Sequence, residues 1–229
     1  MRAFSVAGQA ILALYNELFF LIGISLLWWV TGGFFVLLAA IWGWTFFTTG
    51  GPWWLAPLAA IPAGPALAAL AVVTRRAARD IHVDRSYYLD GLKTYWRPAL
   101  ALSAIGMVGL ALMSLNILFY LFQQNALLQG LTLLWIYVLI LWVSVQLYVY
   151  PILVSLERPT IWLALRTALA AAFANPFFSL LLLIIAGALT ALSVVLPILL
   201  IFVWPALMLL LGAQSLRLFL ARAGVKEEN

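Results

Sequence analysis

The chain has 229 residues, of which 67% are hydrophobic and 8% charged, with no cysteine and a formal charge of +5; its mean hydropathy is +1.14. An ordinary soluble domain has about a quarter of its residues charged, so this composition excludes a water-soluble globule and specifies an integral membrane protein. Without cysteine there are no disulfides, thiolate metal sites or cysteine nucleophiles.

The first residues, RAFSVAGQAILALYNE, read as an amphipathic lead-in along the membrane interface. The apolar run behind them continues past signal-peptide length with no small-residue cleavage site, so it is expected to be retained. From there charge divides the chain: Glu17 and Arg75 bound one uncharged tract, Arg97 and Glu157 a second, Arg166 and Arg217 a third. A span takes about 20 residues, so each tract accommodates two spans and a turn. The expected fold class is all-α, a polytopic transmembrane helix bundle with six spans near 17–47, 54–74, 98–122, 130–154, 175–192 and 196–217. Residues 1–229 then form a single transmembrane domain, with short amphipathic helices in the cytoplasmic interface.

The first span is long. Its roughly 31 residues would reach about 46 Å against about 30 Å of hydrocarbon, so Gly32 and Gly33 in WWVTGGFFVLL are expected to kink the helix or let its outer part project. A separate seventh span there is the competing topology. The uncharged turns are TTGGPWW, QQNALLQG and a short one near Ser193. Pro57, Pro62, Gly64 and Pro65 should bend the second span, and Pro197 and Pro205 the sixth. Gly106, Gly109, Ala59, Ala63, Ala66 and Ala69 favour close helix approach.

Basic residues gather in the alternate segments: Arg2; then Arg75, Arg76, Arg79, Arg85, Lys93 and Arg97; then Arg158 and Arg166; then Arg217, Arg222 and Lys226. Lysine and arginine mark the cytoplasmic side, which places both charged loops and both termini there. The positive charge is thus a topology signal and an anionic-lipid contact, and requires no nucleic acid partner.

The most polar passage, VDRSYYLDGLKT (83–94), has a near-copy 73 positions on, LERPTIWLALRT (156–167). Val83, Asp84 and Arg85 match Leu156, Glu157 and Arg158; Leu92, Lys93 and Thr94 match Leu165, Arg166 and Thr167; Tyr88 and Leu89 match Ile161 and Trp162. Each copy follows an inward span and precedes an outward one, which describes either a parallel repeat or a chance likeness of two membrane-flanking segments. Ser86 or Asp84 can cap a helix, and Pro159 suits a first turn. Tyr88, Leu92 and Tyr95 or Trp96 then share one face, as do Ile161, Trp162 and Leu165. The plain reading is a pair of interfacial anchors, aromatic side down. The sharper reading is a partner-docking platform formed by Asp84, Arg85, Tyr88, Leu92, Lys93, Glu157, Arg158, Trp162 and Arg166.

Catalytic chemistry lacks its parts. His82 is the single histidine, Asp80, Asp84 and Asp90 stand among arginines, and Ser103, Ser114, Ser144 and Ser179 lie in apolar tracts without a base. No enzyme activity, metal or cofactor is expected. A coupled carrier usually holds ionisable residues at membrane depth, and the three tracts have none. Asn116, Gln146 and Asn175 are their notable amides, suited to bonds between helices or to a polar path.

NELFFLIGISLLWW, LAAIPAGPALAALAVVTRRAARD, YYLDGLKTYWRPAL and LERPTIWLALRTALAAAFANPFFSLLLL together resemble the YesL-like family of small bacterial membrane proteins, over most of the chain. The chain departs from that pattern by extra apolar sequence over residues 31–53. Genes of the family often lie near sugar-uptake transporter and polysaccharide-utilisation genes, so the resemblance implies a bacterial plasma-membrane protein tied to carbohydrate import, with an ABC-type transporter as partner, and no reaction. The function expected is a non-enzymatic accessory or assembly subunit. The alternatives are a small uncoupled transporter or channel, or a structural subunit of a larger membrane complex.

Overall fold

The computed structural model describes residues 2–79 and 84–222. Asp80, His82, Val83 and Lys226, which figured in the sequence reading, lie outside the described residues. Every regular element among those described is helical.

Helix α1 (Arg2–Asn16) differs from the lead-in expected. Ala3, Val6, Ala7, Ala10 and Ala13 recur every three or four residues and are all buried, in the same core as the last helix, against which α1 mainly packs. Small side chains explain this, since they let two helix backbones approach closely.

α2 (Leu18–Trp28) runs through a π turn at Trp29–Gly33 into α3 (Phe34–Thr49). The disturbance expected at the paired glycines is therefore a wide turn inside one continuous 32-residue helical segment, about 48 Å long. Gly32 is tight there: a Cβ would sit 3.4 Å from the Ala63 backbone and collide with the Ala66 methyl. α3 buries none of its residues and lies against the segment that follows. It ends at Gly50, whose φ of 75° lets the Gly51 N–H reach the Phe46 carbonyl at 2.8 Å.

Trp53–Ala63 is a 3₁₀ helix. Such runs are ordinarily short; here Pro57 and Pro62 remove two of the N–H groups an α-helix would use. The chain relaxes into α4 (Gly64–Ala77) at Gly64, which lies so close to the next helix that a Cβ would stand 2.6 Å from the Ala99 carbonyl oxygen.

α5 (Ser86–Leu121) corrects the expectation of a separate interfacial helix after residue 84. It is one helix of 36 residues that passes through Pro98 without a break. α6 (Ala126–Leu153) starts at Asn125, whose Oδ1 accepts the Leu127 N–H at 2.9 Å. α7 (Ile161–Ala174) and α8 (Pro176–Val195) are divided at Asn175, with Pro176 opening α8. Pro159 precedes α7 and does not enter its first turn.

The sixth expected span is divided as well. α9 (Pro197–Phe202) has six residues, and α10 (Trp204–Arg222) begins after a break at Val203. Five segments among the described residues are long and apolar enough to cross a membrane: Leu18–Thr49, Trp53–Ala77, Ser86–Leu121, Ala126–Leu153 and Pro176–Val195.

Prolines leave helix carbonyls without donors, and other elements meet them. Pro205 cannot bond the Ile201 carbonyl; the Trp29 indole N–H does so instead, at 3.0 Å. Pro151 likewise leaves the Leu147 carbonyl open, and it faces Gly212 of α10 where any Cβ would strike it. Buried residues concentrate in the half of the bundle that carries the charged loops, around 66–78, 144–154, 164–172 and 206–216. The opposite half, with α3, the C-terminal end of α5, the start of α6 and the whole of α9, is largely exposed.

Candidate functional site

The charged end is organised by helix C-termini, whose last carbonyls have no partner within their own helices. Arg75 of α4 donates from Nη1 to the Val154 carbonyl behind α6 at 2.6 Å. Arg217 of α10 donates to the Ala78 carbonyl behind α4, which also accepts from Gln214 Nε2 at 3.4 Å. Cations suit this position, because the helix dipole is negative there. The ends of α4, α6 and α10 are thereby tied to one another by arginine and glutamine.

The first polar passage meets this cluster at the start of α5. Asp84 accepts the Arg85 N–H at 2.6 Å and the Ser86 hydroxyl at 3.0 Å, but the N-cap position is Arg85 and no side chain caps α5, so the cap expected from Ser86 or Asp84 is not formed. Arg85 and Lys93 are exposed, and Leu92 is half-buried against the core. Tyr88 is fully buried, and its hydroxyl lies 2.6 Å from Thr31 Oγ1 in the π turn. Thr31 already gives its proton to the Leu27 carbonyl at 2.9 Å, so Tyr88 is the donor of the pair. Tyr88 therefore belongs to the interior rather than to an outer face. Leu89 and Trp96 are the large side chains this segment turns outward, 49% and 48% exposed, with the Arg97 guanidinium 5.0 Å from the Trp96 ring centre.

The second passage opens α7. Glu157, Arg158 and Arg166 are exposed, and Trp162 is 71% exposed. Ala164, Ala168, Ala171 and Ala172 form the buried stripe, on the helix that packs along α6. Exposure agrees at most matched positions: Asp84 with Glu157, Arg85 with Arg158, Leu89 with Trp162 and Lys93 with Arg166 are outside; Gly91 with Ala164 is inside; Leu92 with Leu165 is between; it differs at Tyr88, buried against a half-buried Ile161, and at Thr94, exposed against a half-buried Thr167. The helix boundaries extend the correspondence. Trp53 and Ala126, which open the two helical pairs, are 73 positions apart, and Leu121 and Val195, which close them, are 74 apart. The two pairs differ where α5 is continuous and α7–α8 is broken at Asn175.

Two cavities flank this arrangement. One, of about 710 Å³, lies at the charged end among Arg75, Arg76, Arg79, Tyr87, Asp90 and Tyr95. The other, of about 660 Å³, is apolar and lies within the helical bundle among Trp28, Gln146, Tyr150, Thr190, Trp204 and Met208. The Trp204 indole spends its N–H on Thr190 Oγ1 at 2.9 Å, whereas Trp28 Nε1 is buried without a hydrogen-bond partner among the described residues and the Tyr150 hydroxyl is buried near Ser103. Of the amides singled out from sequence, Gln146 lines this cavity. Asn116 instead bonds back to the Leu112 carbonyl of its own helix at 2.8 Å, and Asn175 is an exposed residue at the α7–α8 break. Among the described residues no three His, Asp or Glu side chains come together as metal ligands would.

Sequence reading treated Arg75, Arg76 and Arg79 only as markers of sidedness and missed the cavity they line. Their one-, three- and four-residue spacing at the end of a helix was the available signal, since it wraps three guanidinium groups around one helix terminus. No protein-family model, curated protein or solved structure matches the chain.

Proposed function

We propose that this protein is a non-enzymatic accessory or assembly subunit of a membrane complex, and that its charged end, on the cytoplasmic side of the plasma membrane, is the docking face. One observation carries the reading: the two matched segments turn the same set of side chains outward while their other faces hold the bundle together. Trp162 beside Arg166, and Leu89 beside Lys93, are large apolar groups next to cations. Aromatic and arginine anchors of this kind dominate protein interfaces. The resemblance to the YesL-like family adds carbohydrate uptake as the setting and an ABC-type transporter as the partner.

The test is native co-purification from the source membrane with mass identification, comparing wild type with a Lys93→Glu, Trp162→Ala, Arg166→Glu variant. All three positions are exposed, so the variant should melt like wild type and lose the partner. A partner retained by the variant, or repeated recovery of the isolated protein under gentle solubilisation, defeats the proposal.

The apolar cavity supports a second reading, a small uncoupled transporter. Its volume lies within the range of small-molecule sites, and its few polar groups converge from several helices. Reconstituted alone, a transporter moves solute across vesicles; an accessory subunit does not.

A further inference from the structure

The apolar cavity inside the bundle presents one polar group that the fold leaves unanswered. Among the described residues, none that lines it carries a charge. Thr190 accepts from the Trp204 indole and gives its own proton to the Ala186 carbonyl at 2.8 Å. The Tyr150 hydroxyl is buried near Ser103, and Trp28 Nε1 is closed off within the wall. Gln146 differs from all of these. It is half-buried, and its carboxamide makes no hydrogen bond with the described residues. The amide lies over Gly106 of α5, where a Cβ would stand 2.7 Å from Oε1, so the space it occupies depends on the side chain that Gly106 lacks.

An amide without a partner is costly in an apolar medium, and the interior of a bilayer has no water to supply one. Counted back from the end of α6 at Leu153, Gln146 lies about 10 Å beneath the charged end of the bundle. An uncharged group can reach that level, whereas an ion there would lose its water and gain no counter-charge from the lining. The space also opens sideways. Gly187 and Ala191 of α8 belong to its lining and are exposed, on a segment long and apolar enough to cross a membrane. What lies outside them is hydrocarbon, so an occupant enters from the bilayer. A carboxamide both donates and accepts, and a hydroxyl answers it in both respects. About 660 Å³ admits such a head with part of its chain.

We propose that this cavity binds an uncharged lipid alcohol drawn from the bilayer, with Gln146 hydrogen-bonded to its hydroxyl and Gly187 at the entrance. Binding of this kind uses the cavity on which the transport reading rests, yet it requires neither solute movement nor a partner at the charged end. It is therefore measured in detergent, where loss of lipid binding and absence of transport are separate results.

The full chain in mild detergent is incubated with an equimolar mixture of dioleoylglycerol, its methyl ether and phosphatidylglycerol, and retention is read by native mass spectrometry. A second mixture replaces the glyceride pair by a polyprenol and its methyl ether. Wild type should retain the free alcohol over the ether by about fivefold, the factor expected from one neutral hydrogen bond, and over phosphatidylglycerol by at least as much; the mixture in which this occurs identifies glyceride or prenol as the source. Gln146→Leu should bring the ratio of alcohol to ether close to one. Gly187→Leu should lose both, and because a Cβ there meets nothing within 4 Å the variant should melt like wild type. Gly130→Leu, equally open and away from the cavity, should bind as wild type does. Equal retention of alcohol, ether and phosphatidylglycerol, a preference that survives in Gln146→Leu, full retention in Gly187→Leu, or the same loss in Gly130→Leu overturns the proposal. If Gln146→Leu fails to fold, Gly187→Leu and the wild-type ratio decide.

Discussion

Replacing Tyr88 by phenylalanine removes one oxygen from a side chain with 0% exposure. The bond lost is the 2.6 Å contact with Thr31. Thr31 keeps the Leu27 carbonyl as acceptor at 2.9 Å, so no donor is orphaned, and the cost should be that of one interhelical hydrogen bond, about 1 kcal/mol. Tyr88→Ala removes the ring as well. Truncating a buried aromatic leaves a cavity and costs about 3–5 kcal/mol, so the alanine variant should be at least about three times as damaging. The assay is reversible unfolding in mixed micelles, followed by tryptophan fluorescence, with mixing ratio as the denaturing variable. If Tyr88→Ala unfolds within about 0.5 kcal/mol of wild type, the scale of a neutral surface change, or if the phenylalanine variant is equally damaged, Tyr88 does not tie α5 to the π turn.

Three further outcomes follow from backbone groups. Trp29→Phe should destabilise by about 1 kcal/mol by taking the donor from the Ile201 carbonyl, and by less in a Pro205→Ala background, which restores a helical N–H; a double-mutant cycle with no coupling contradicts that assignment. Gly64→Ala should cost about 1–3 kcal/mol, because its Cβ meets the Ala99 carbonyl, whereas Gly8→Ala, with nothing within 4 Å, should stabilise by up to about 1 kcal/mol; unfolding midpoints compare the two directly. Asn125→Ala should cost about 1 kcal/mol through loss of the cap on Leu127, and raise hydrogen exchange in the first turn of α6.

Charge is a good guide to where a chain leaves an apolar environment, which is why the expected segments 17–47, 54–74, 130–154 and 175–192 lie within a few residues of the helices observed. It is a poor guide to where helical hydrogen bonding stops. α5 runs from polar sequence into apolar sequence across Pro98, and the carbonyl that Pro98 deprives belongs to Thr94, an exposed residue. Around 196–217 the failure is opposite: apolarity is continuous while Pro197 and Pro205 divide the helix. Periodicity grouped Tyr88 with Leu92 and grouped Trp162 with Ile161 and Leu165, yet it could not distinguish a face turned to lipid from one turned to another helix, because both are apolar. Tyr88 and Trp162 occupy such faces, and one is buried while the other is outside. Pro205 implies the open Ile201 carbonyl, but its Trp29 donor and the roles of the Val154 and Ala78 carbonyls could not have been read. Main-chain acceptors are the same at every position, and only the assembled bundle shows which lack donors.

The uneven distribution of buried contacts along the helices has a mechanical consequence. With three helix ends bound together by Arg75, Arg217 and Gln214 and α3 and α9 burying no residues, one half is stiff and the other compliant. Thermal opening should begin in the compliant half and cost little there, because few packed side chains have to separate. A bundle of this kind can widen at one end like a sprung clip while its hinge stays shut. The apolar cavity is lined by Trp28, Thr190 and Trp204 and, among its described lining, by no residue of α3 or α9, so loosening of those two helices leaves its walls in place.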